Sequence, residues 1–235
     1  MKNINRFIEH TILKPNVTQK EIEKTVIEGI ENQFVGVCVP PFWVKSARKL
    51  IGNSELQLVS IAGFPLGYTQ TEVKLAEISQ AVEDGADEVD IVWNLSAFKS
   101  GMSWVKVDIA RCAEFLHDQN KILKVIIETA YLTEEEIRLA CEICKDAGTD
   151  FVKTSTGFAS SGAQVEHIRI MRSSLPSHVG IKAAGGIRDY ETAIEMIKAG
   201  ANLVGIGSGV YFRGISVFRK VCEEMKEIMK KKKQL

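Results

Sequence analysis

The chain has 235 residues, within the range of a single α/β barrel. Thirty basic and thirty acidic residues cancel, so no cationic excess points to nucleic acid or an anionic membrane, although a local anion site stays open. With 45% hydrophobic residues, no apolar run near the roughly 18 residues of a membrane span and no signal-like apolar core in residues 1–10, the sequence predicts a soluble, cytoplasmic protein.

In chain order, strand-like apolar runs fall at 9–12, 35–39, 57–62, 88–92, 123–128, 151–154, 180–183 and 203–206. Between and after them come amphipathic patterns at 19–31, 42–51, 72–84, 104–119, 134–147, 165–173, 190–199 and 216–231. Gly85, Gly148 and Gly200 each follow a helical pattern and precede a strand, the place of a left-handed C-terminal cap. Thr133 followed by Glu136 reads as a capping box. The segments starting at Asp84, Asp146 and Lys198 share one form, in which a helix end meets a glycine turn and then a buried strand. Strand-plus-helix units of about 25–30 residues, repeated, describe a single (β/α)8 barrel, the TIM-barrel architecture, over residues 1–235. An open doubly wound sheet is the alternative, and the lack of a linker or composition break favours closure. The lysine run at 230–233 reads as a solvated tail at a helix C-terminus.

Five cysteines, an odd number with scattered spacing, argue against a disulfide framework. Cys141 and Cys144 form a C-x-x-C pattern, but inside a helical stretch and with no second ligand pair, so they read as helix packing. Cys38 reads as core or pocket lining.

In this architecture chemistry sits at the C-terminal ends of the strands. Lys153 and Lys182 end two successive apolar runs, where a parallel strand buried on both faces should be apolar. Barrel closure would point both ammonium groups into one pocket. An ordinary lysine titrates near ~10.4, so about 4 kcal/mol separates it from neutrality at pH 7, which a neighbouring ammonium and desolvation can supply. Asp90, in the fourth run, is a third anomaly. It reads either as a structural ion-pair partner or as an acid/base group beside a reactive amine. The glycine-bearing strand ends at Gly157, Gly185 with Gly186, and Gly205 to Gly209 predict a phosphate site after the sixth to eighth strands. His10 reads as a structural hydrogen-bonding residue. The Gly63–Gly67 segment is a tight turn or a pocket wall.

Five segments together resemble the deoxyribose-phosphate aldolase family, in the right order and across nearly the whole chain. They are Glu9-His-Thr-Ile-Leu-Lys14, Gly63-Phe-Pro-Leu-Gly67, Glu88-Val-Asp-Ile-Val-Trp-Asn94, Val152-Lys-Thr-Ser-Thr-Gly-Phe158 and Lys182-Ala-Ala-Gly-Gly-Ile187. The resemblance implies a class I aldolase that cleaves 2-deoxy-D-ribose 5-phosphate to acetaldehyde and D-glyceraldehyde 3-phosphate, reversibly and without a metal or other cofactor. It implies Lys153 as the Schiff-base lysine, Lys182 as the charge that lowers its pKa and Asp90 as the proton carrier. Thr11 and Thr156 match positions near the substrate, and Gly157, Gly185, Gly186, Gly205 and Ser208 match phosphate contacts. Neutral Lys153 attacking a carbonyl would give an iminium electron sink, so the protonated imine does a Lewis acid's work.

Three departures from the family pattern stand out. Glu9 replaces the usual aspartate, Gly207 stands where a phosphate-binding serine is expected, and the C-terminal tyrosine of some members has no counterpart, the last tyrosine being Tyr211. Two other readings remain: a lysine aldolase acting on another sugar phosphate, and a barrel that binds a sugar phosphate without catalysis. Barrels of this kind often pair, so a homodimer stays open, although no apolar stripe announces an interface.

Overall fold

The structure, a computed structural model, describes residues 7–207 apart from residue 189. Eight parallel strands close into a barrel: β1 Ile8–Thr11, β2 Gly36–Cys38, β3 Gln57–Ala62, β4 Glu88–Val92, β5 Ile122–Ile126, β6 Phe151–Lys153, β7 Gly180–Ala184 and β8 Leu203–Ile206. Each pairs with its sequence neighbour, and β1 closes on β8 through His10 opposite Ile206. The open-sheet alternative therefore falls. The helices are α1 Gln19–Glu31, α2 Val44–Ile51, α3 Thr71–Glu83, α4 Leu95–Lys99, α5 Trp104–His117, α6 Glu134–Asp146, α7 Val165–Ser174 and α8 Tyr190–Ala199. Ser208, Tyr211, Cys222 and the predicted helix at 216–231 lie outside the described residues.

Local chemistry accounts for the element ends. Glu136 N–H donates to Thr133 Oγ1 at 3.2 Å while Thr133 N–H donates to Glu136 Oε2 at 2.8 Å, the capping box expected from the sequence. Gly85, Gly148 and Gly200 have φ of 105°, 85° and 123°, values that only glycine adopts without strain. Several boundaries move from the expected ones. β1 begins at Ile8 rather than residue 9, and β5 stops at Ile126 because Glu128 turns into the left-handed region. α4 was not expected. It is a five-residue helix capped by Asn94, whose Oδ1 accepts from Ala97 N–H at 3.1 Å.

Strand side chains alternate between two environments. Outward residues such as Val37, Leu58, Val89, Val125, Val152 and Ile181 join the large apolar layer beneath the helices. Cys38, Val59 and Ile61 form a separate apolar cluster. Glu9, Asp90, Lys124, Lys153 and Lys182 are almost wholly buried as well, so charge and apolar surface share the strand layer. Cys141 and Cys144 are buried free thiols in α6, and burial pushes the Cys141 thiol up to about 12, in keeping with packing rather than redox chemistry. Among the described residues no helix is long and apolar enough to cross a membrane.

Candidate active site

Strand register brings the charges together. Lys153 lies opposite Lys182 across β6 and β7, and Asp90 opposite Lys124 across β4 and β5. Lys153 Nζ donates to Asp90 Oδ2 at 2.7 Å, and Lys182 Nζ donates to the same oxygen at 2.7 Å. One carboxylate oxygen thus bridges the two lysines that the sequence singled out. Lys182 also bonds Glu9 Oε1. Lys124 bonds Glu88 and lies 3.4 Å from both Glu9 Oε2 and Asp90 Oδ1. Three ammonium groups therefore face three carboxylates.

Burial makes each of these charges expensive alone and strong in company. Asp90 and Lys182 have no exposed surface, and Lys153 is 2% exposed. Burial pushes the Asp90 carboxyl up, but the ammonium groups of Lys153, Lys182 and Lys124 outweigh it and hold the carboxyl well below its ordinary range. Burial pulls Lys182 down, and Asp90 and Glu9 more than reverse it, so Lys182 is held protonated. The oxygens of Glu9 and Asp90 and the sulfur of Cys38 lie within 4.8 Å of one another. Ammonium groups already neutralise both carboxylates, and burial pushes the Cys38 thiol up to about 12, so this donor set offers a cation neither free charge nor a thiolate.

Part of this network has no counterpart among the residues expected from the sequence. Lys124 sits in an apolar run and Glu88 two residues before Asp90, on the same strand face, yet neither was assigned a role. An internal charge in a parallel strand was the available signal, the same one that exposed Asp90. Glu9 is explained by its reach: one carboxylate serves both Lys182 and Lys124.

A cavity of about 380 Å³ opens at the C-terminal end of the barrel, lined by Thr11, Lys153, Thr156, Gly157, Gly185, Gly186, Gly205 and Gly207 among others. Every site residue expected from the sequence borders it except three. Ser208 lies outside the described residues, and Asp90 and Lys182 lie behind Lys153. Lys14 and Arg188 also line the cavity, two cations beyond those expected at the anion site from the sequence. Arg188 follows the Gly185-Gly186 turn directly, a position that carried a legible signal.

The glycines here serve close approach. A methyl group at Gly162 would lie 2.1 Å from the Gly185 carbonyl oxygen, so the loops after β6 and β7 touch backbone to backbone. A methyl group at Gly205 would lie 3.3 Å from Lys182 Cε, so the bare position leaves room for the lysine stem. Gly207 packs the β8 end against β1, since a side chain there would meet the Thr11 carbonyl oxygen at 2.8 Å. That contact gives a reason for glycine where serine was expected. His10 points outward and pairs with Glu28 at 3.0 Å, as its structural reading required. The Gly63–Gly67 segment is a turn closed by Gly67 N–H to Gly63 O at 2.7 Å, and its Phe64 packs on the Cys38, Val59 and Ile61 cluster.

Residues 7–224 match the profile of the DeoC/LacD family aldolases. The chain is 51% identical over 212 residues to the deoxyribose-phosphate aldolase of Thermococcus kodakarensis, covering 89% of this chain and 95% of that protein. It superposes on the aldolase QR15 with a TM-score of 0.85 and 43% identity, covering 97% of each chain. The deoxyribose-phosphate aldolase of Aeropyrum pernix, described as a unique tetramer, gives a TM-score of 0.82 and 30% identity over 95% of this chain and 91% of that one.

Proposed function

The chain belongs to the DeoC/LacD family of aldolases, and from that premise we propose how its barrel carries out the reaction. The enzyme is an aldehyde-lyase that cleaves 2-deoxy-D-ribose 5-phosphate reversibly to acetaldehyde and D-glyceraldehyde 3-phosphate. Residues 1–235 are read as one catalytic domain.

Lys153 is the nucleophile, and one observation carries that assignment. Of the three lysines in the buried ion network, Lys153 alone borders the cavity, whereas Lys182 and Lys124 sit among carboxylates behind it. Neutral Lys153 adds through Nζ to the C1 carbonyl, and loss of water from the carbinolamine gives the iminium. The C3 hydroxyl then loses its proton and the C2–C3 bond breaks. Its electron pair moves into the iminium to give the enamine, and glyceraldehyde 3-phosphate departs. Protonation at C2 and hydrolysis release acetaldehyde and return the amine.

Asp90 is the proton carrier, because its Oδ2 is one hydrogen bond from Lys153. Its affinity for a proton is low while all three ammonium groups surround it, and it rises once Lys153 gives up its charge. Lys182 is the fixed cation of the site, held charged by Asp90 and Glu9. The phosphate lies against the glycine loops at Gly157, Gly185, Gly186 and Gly205, to which the family resemblance adds Ser208, while Thr11 and Thr156 face the carbon chain. Arg188 and Lys14 supply positive charge at the same cavity. A cytoplasmic location fits a phosphorylated substrate and free buried thiols. Self-association is the expectation that the tetrameric Aeropyrum pernix relative supports.

The test is turnover of deoxyribose 5-phosphate beside a ketose phosphate. Turnover of the first alone is expected, and preferential cleavage of the ketose phosphate would transfer the assignment to the other lysine-aldolase reading. Arg188→Ala is expected to raise KM for deoxyribose 5-phosphate about 10- to 100-fold while changing kcat/KM for unphosphorylated 2-deoxyribose little. Equal losses on both substrates would remove Arg188 from the phosphate site.

A further inference from the structure

Glu128 carries two marks of a constrained functional residue. Its φ of 52° is left-handed, a conformation that strains a non-glycine residue. Its carboxyl is also buried, at 5% exposure. The backbone on either side is pinned to the strand that carries Lys153. Ile127 N–H donates to Lys153 O at 3.0 Å, and Thr129 N–H donates to Thr154 O at 2.9 Å. The kink between these two bonds turns the Glu128 side chain over the segment after Lys153, where it meets Thr156.

Hydrogen-bond bookkeeping at Thr156 then becomes decisive. A hydroxyl has one proton to donate and two lone pairs to accept with. Thr156 Oγ1 donates its proton to Glu128 Oε2, and Thr156 N–H donates to the same carboxylate at 3.2 and 3.3 Å. One lone pair of Thr156 Oγ1 accepts from Phe158 N–H at 3.1 Å. What remains toward the cavity, which Thr156 lines, is a single lone pair. Glu128 thus fixes the polarity of Thr156, which can accept from the substrate but not donate to it.

We propose that Glu128 is a positioning residue that holds Thr156 as an acceptor-only group for the non-reacting C4 hydroxyl of the sugar phosphate. This rests on the substrate assignment above. Thr156 lines the same cavity and stands in the chain three residues after Lys153, which holds C1, and directly before Gly157, which holds the phosphate, so it is assigned to the middle of the carbon chain. The two hydroxyls there have different needs. The C3 hydroxyl must lose its proton during cleavage and regain it in condensation, which requires a group able to take and return one. A threonine whose own proton is committed to a carboxylate cannot do that. The C4 hydroxyl keeps its proton throughout and needs only an acceptor.

The test uses condensation of acetaldehyde with two acceptors: D-glyceraldehyde 3-phosphate, whose C2 hydroxyl becomes the C4 hydroxyl, and the same aldehyde phosphate lacking that hydroxyl. Native enzyme is expected to prefer the hydroxylated acceptor. Glu128→Ala should lower kcat/KM for it about tenfold or more and for the deoxy acceptor far less, so that the preference collapses. A double variant with Thr156→Val should be no worse than Thr156→Val alone, since Glu128 acts through that hydroxyl. Glu128→Gln retains an acceptor oxygen and should recover part of the preference. Borohydride trapping of acetaldehyde by Glu128→Ala at a rate within about threefold of native enzyme would show an intact lysine site. Equal losses on both acceptors, or additive effects of the two substitutions, would overturn the proposal. Absence of any condensation by the native enzyme would instead overturn the substrate assignment beneath it.

Discussion

Lys153→Ala is expected to lose cleavage of deoxyribose 5-phosphate by on the order of 10⁴-fold or more while remaining folded. The size follows from the chemistry: without the amine there is no iminium, and electrons from the breaking C2–C3 bond have nowhere to go. Survival of the fold follows from the geometry. Asp90 Oδ2 still receives Lys182 at 2.7 Å, and Oδ1 keeps Lys124 at 3.4 Å, so no carboxylate is left alone. The measurement is steady-state cleavage beside thermal unfolding of the same sample. More than about 1% residual activity in folded protein would mean that another group forms the covalent bond.

Lys182→Met is expected to damage both activity and stability. Removing this ammonium leaves Asp90 with Lys153 at 2.7 Å but takes the hydrogen-bonded lysine from buried Glu9, which keeps only the longer 3.4 Å approach of Lys124, so the loss centres on Glu9 and approaches the about 3–5 kcal/mol of a broken buried pair. Adding Glu9→Gln should return part of that loss, because three carboxylates would no longer face two ammonium groups. Urea unfolding of the single and double variants measures this, and a single-variant loss below about 1 kcal/mol would show that water or rearrangement replaces the ion pair. The pH dependence has a definite sign. Asp90 is lowered on folding, so its stabilisation is complete above the ordinary carboxylate range and is lost as pH falls below it. Lys182 is raised, so its stabilisation is complete below the ordinary lysine range and is lost as pH rises above it. Native enzyme should therefore show a stability plateau between those ranges, and the Lys182→Met variant should lose the alkaline contribution of that lysine.

Barrel closure was legible because eight apolar runs alternate with helical patterns, and a glycine at the preceding helix end marks three of the strands, β4, β6 and β8. Lys153, Lys182 and Asp90 were legible as charges where parallel strands require apolar residues. Lys124 obeys the same rule, yet one charge in an otherwise apolar run passes easily for a lysine whose head reaches solvent, and only the register that sets Asp90 opposite Lys124 removes that reading. Glu128 was hidden differently. The apolar run ends on it like the last residue of a strand, and its importance lies in a left-handed turn that composition does not signal. The five-residue α4 is too short to show a helical period. The two anomalous lysines entered as a matched pair of like charges. The structure makes them unequal and places a carboxylate between them.

The central question is which lysine forms the Schiff base. Incubating the enzyme with acetaldehyde and borohydride, then mapping the adduct by mass spectrometry, answers it directly. A reduced two-carbon adduct on Lys153 and none in Lys153→Ala is the predicted result. An adduct on Lys182 or Lys124, or no adduct in the native enzyme, would contradict it.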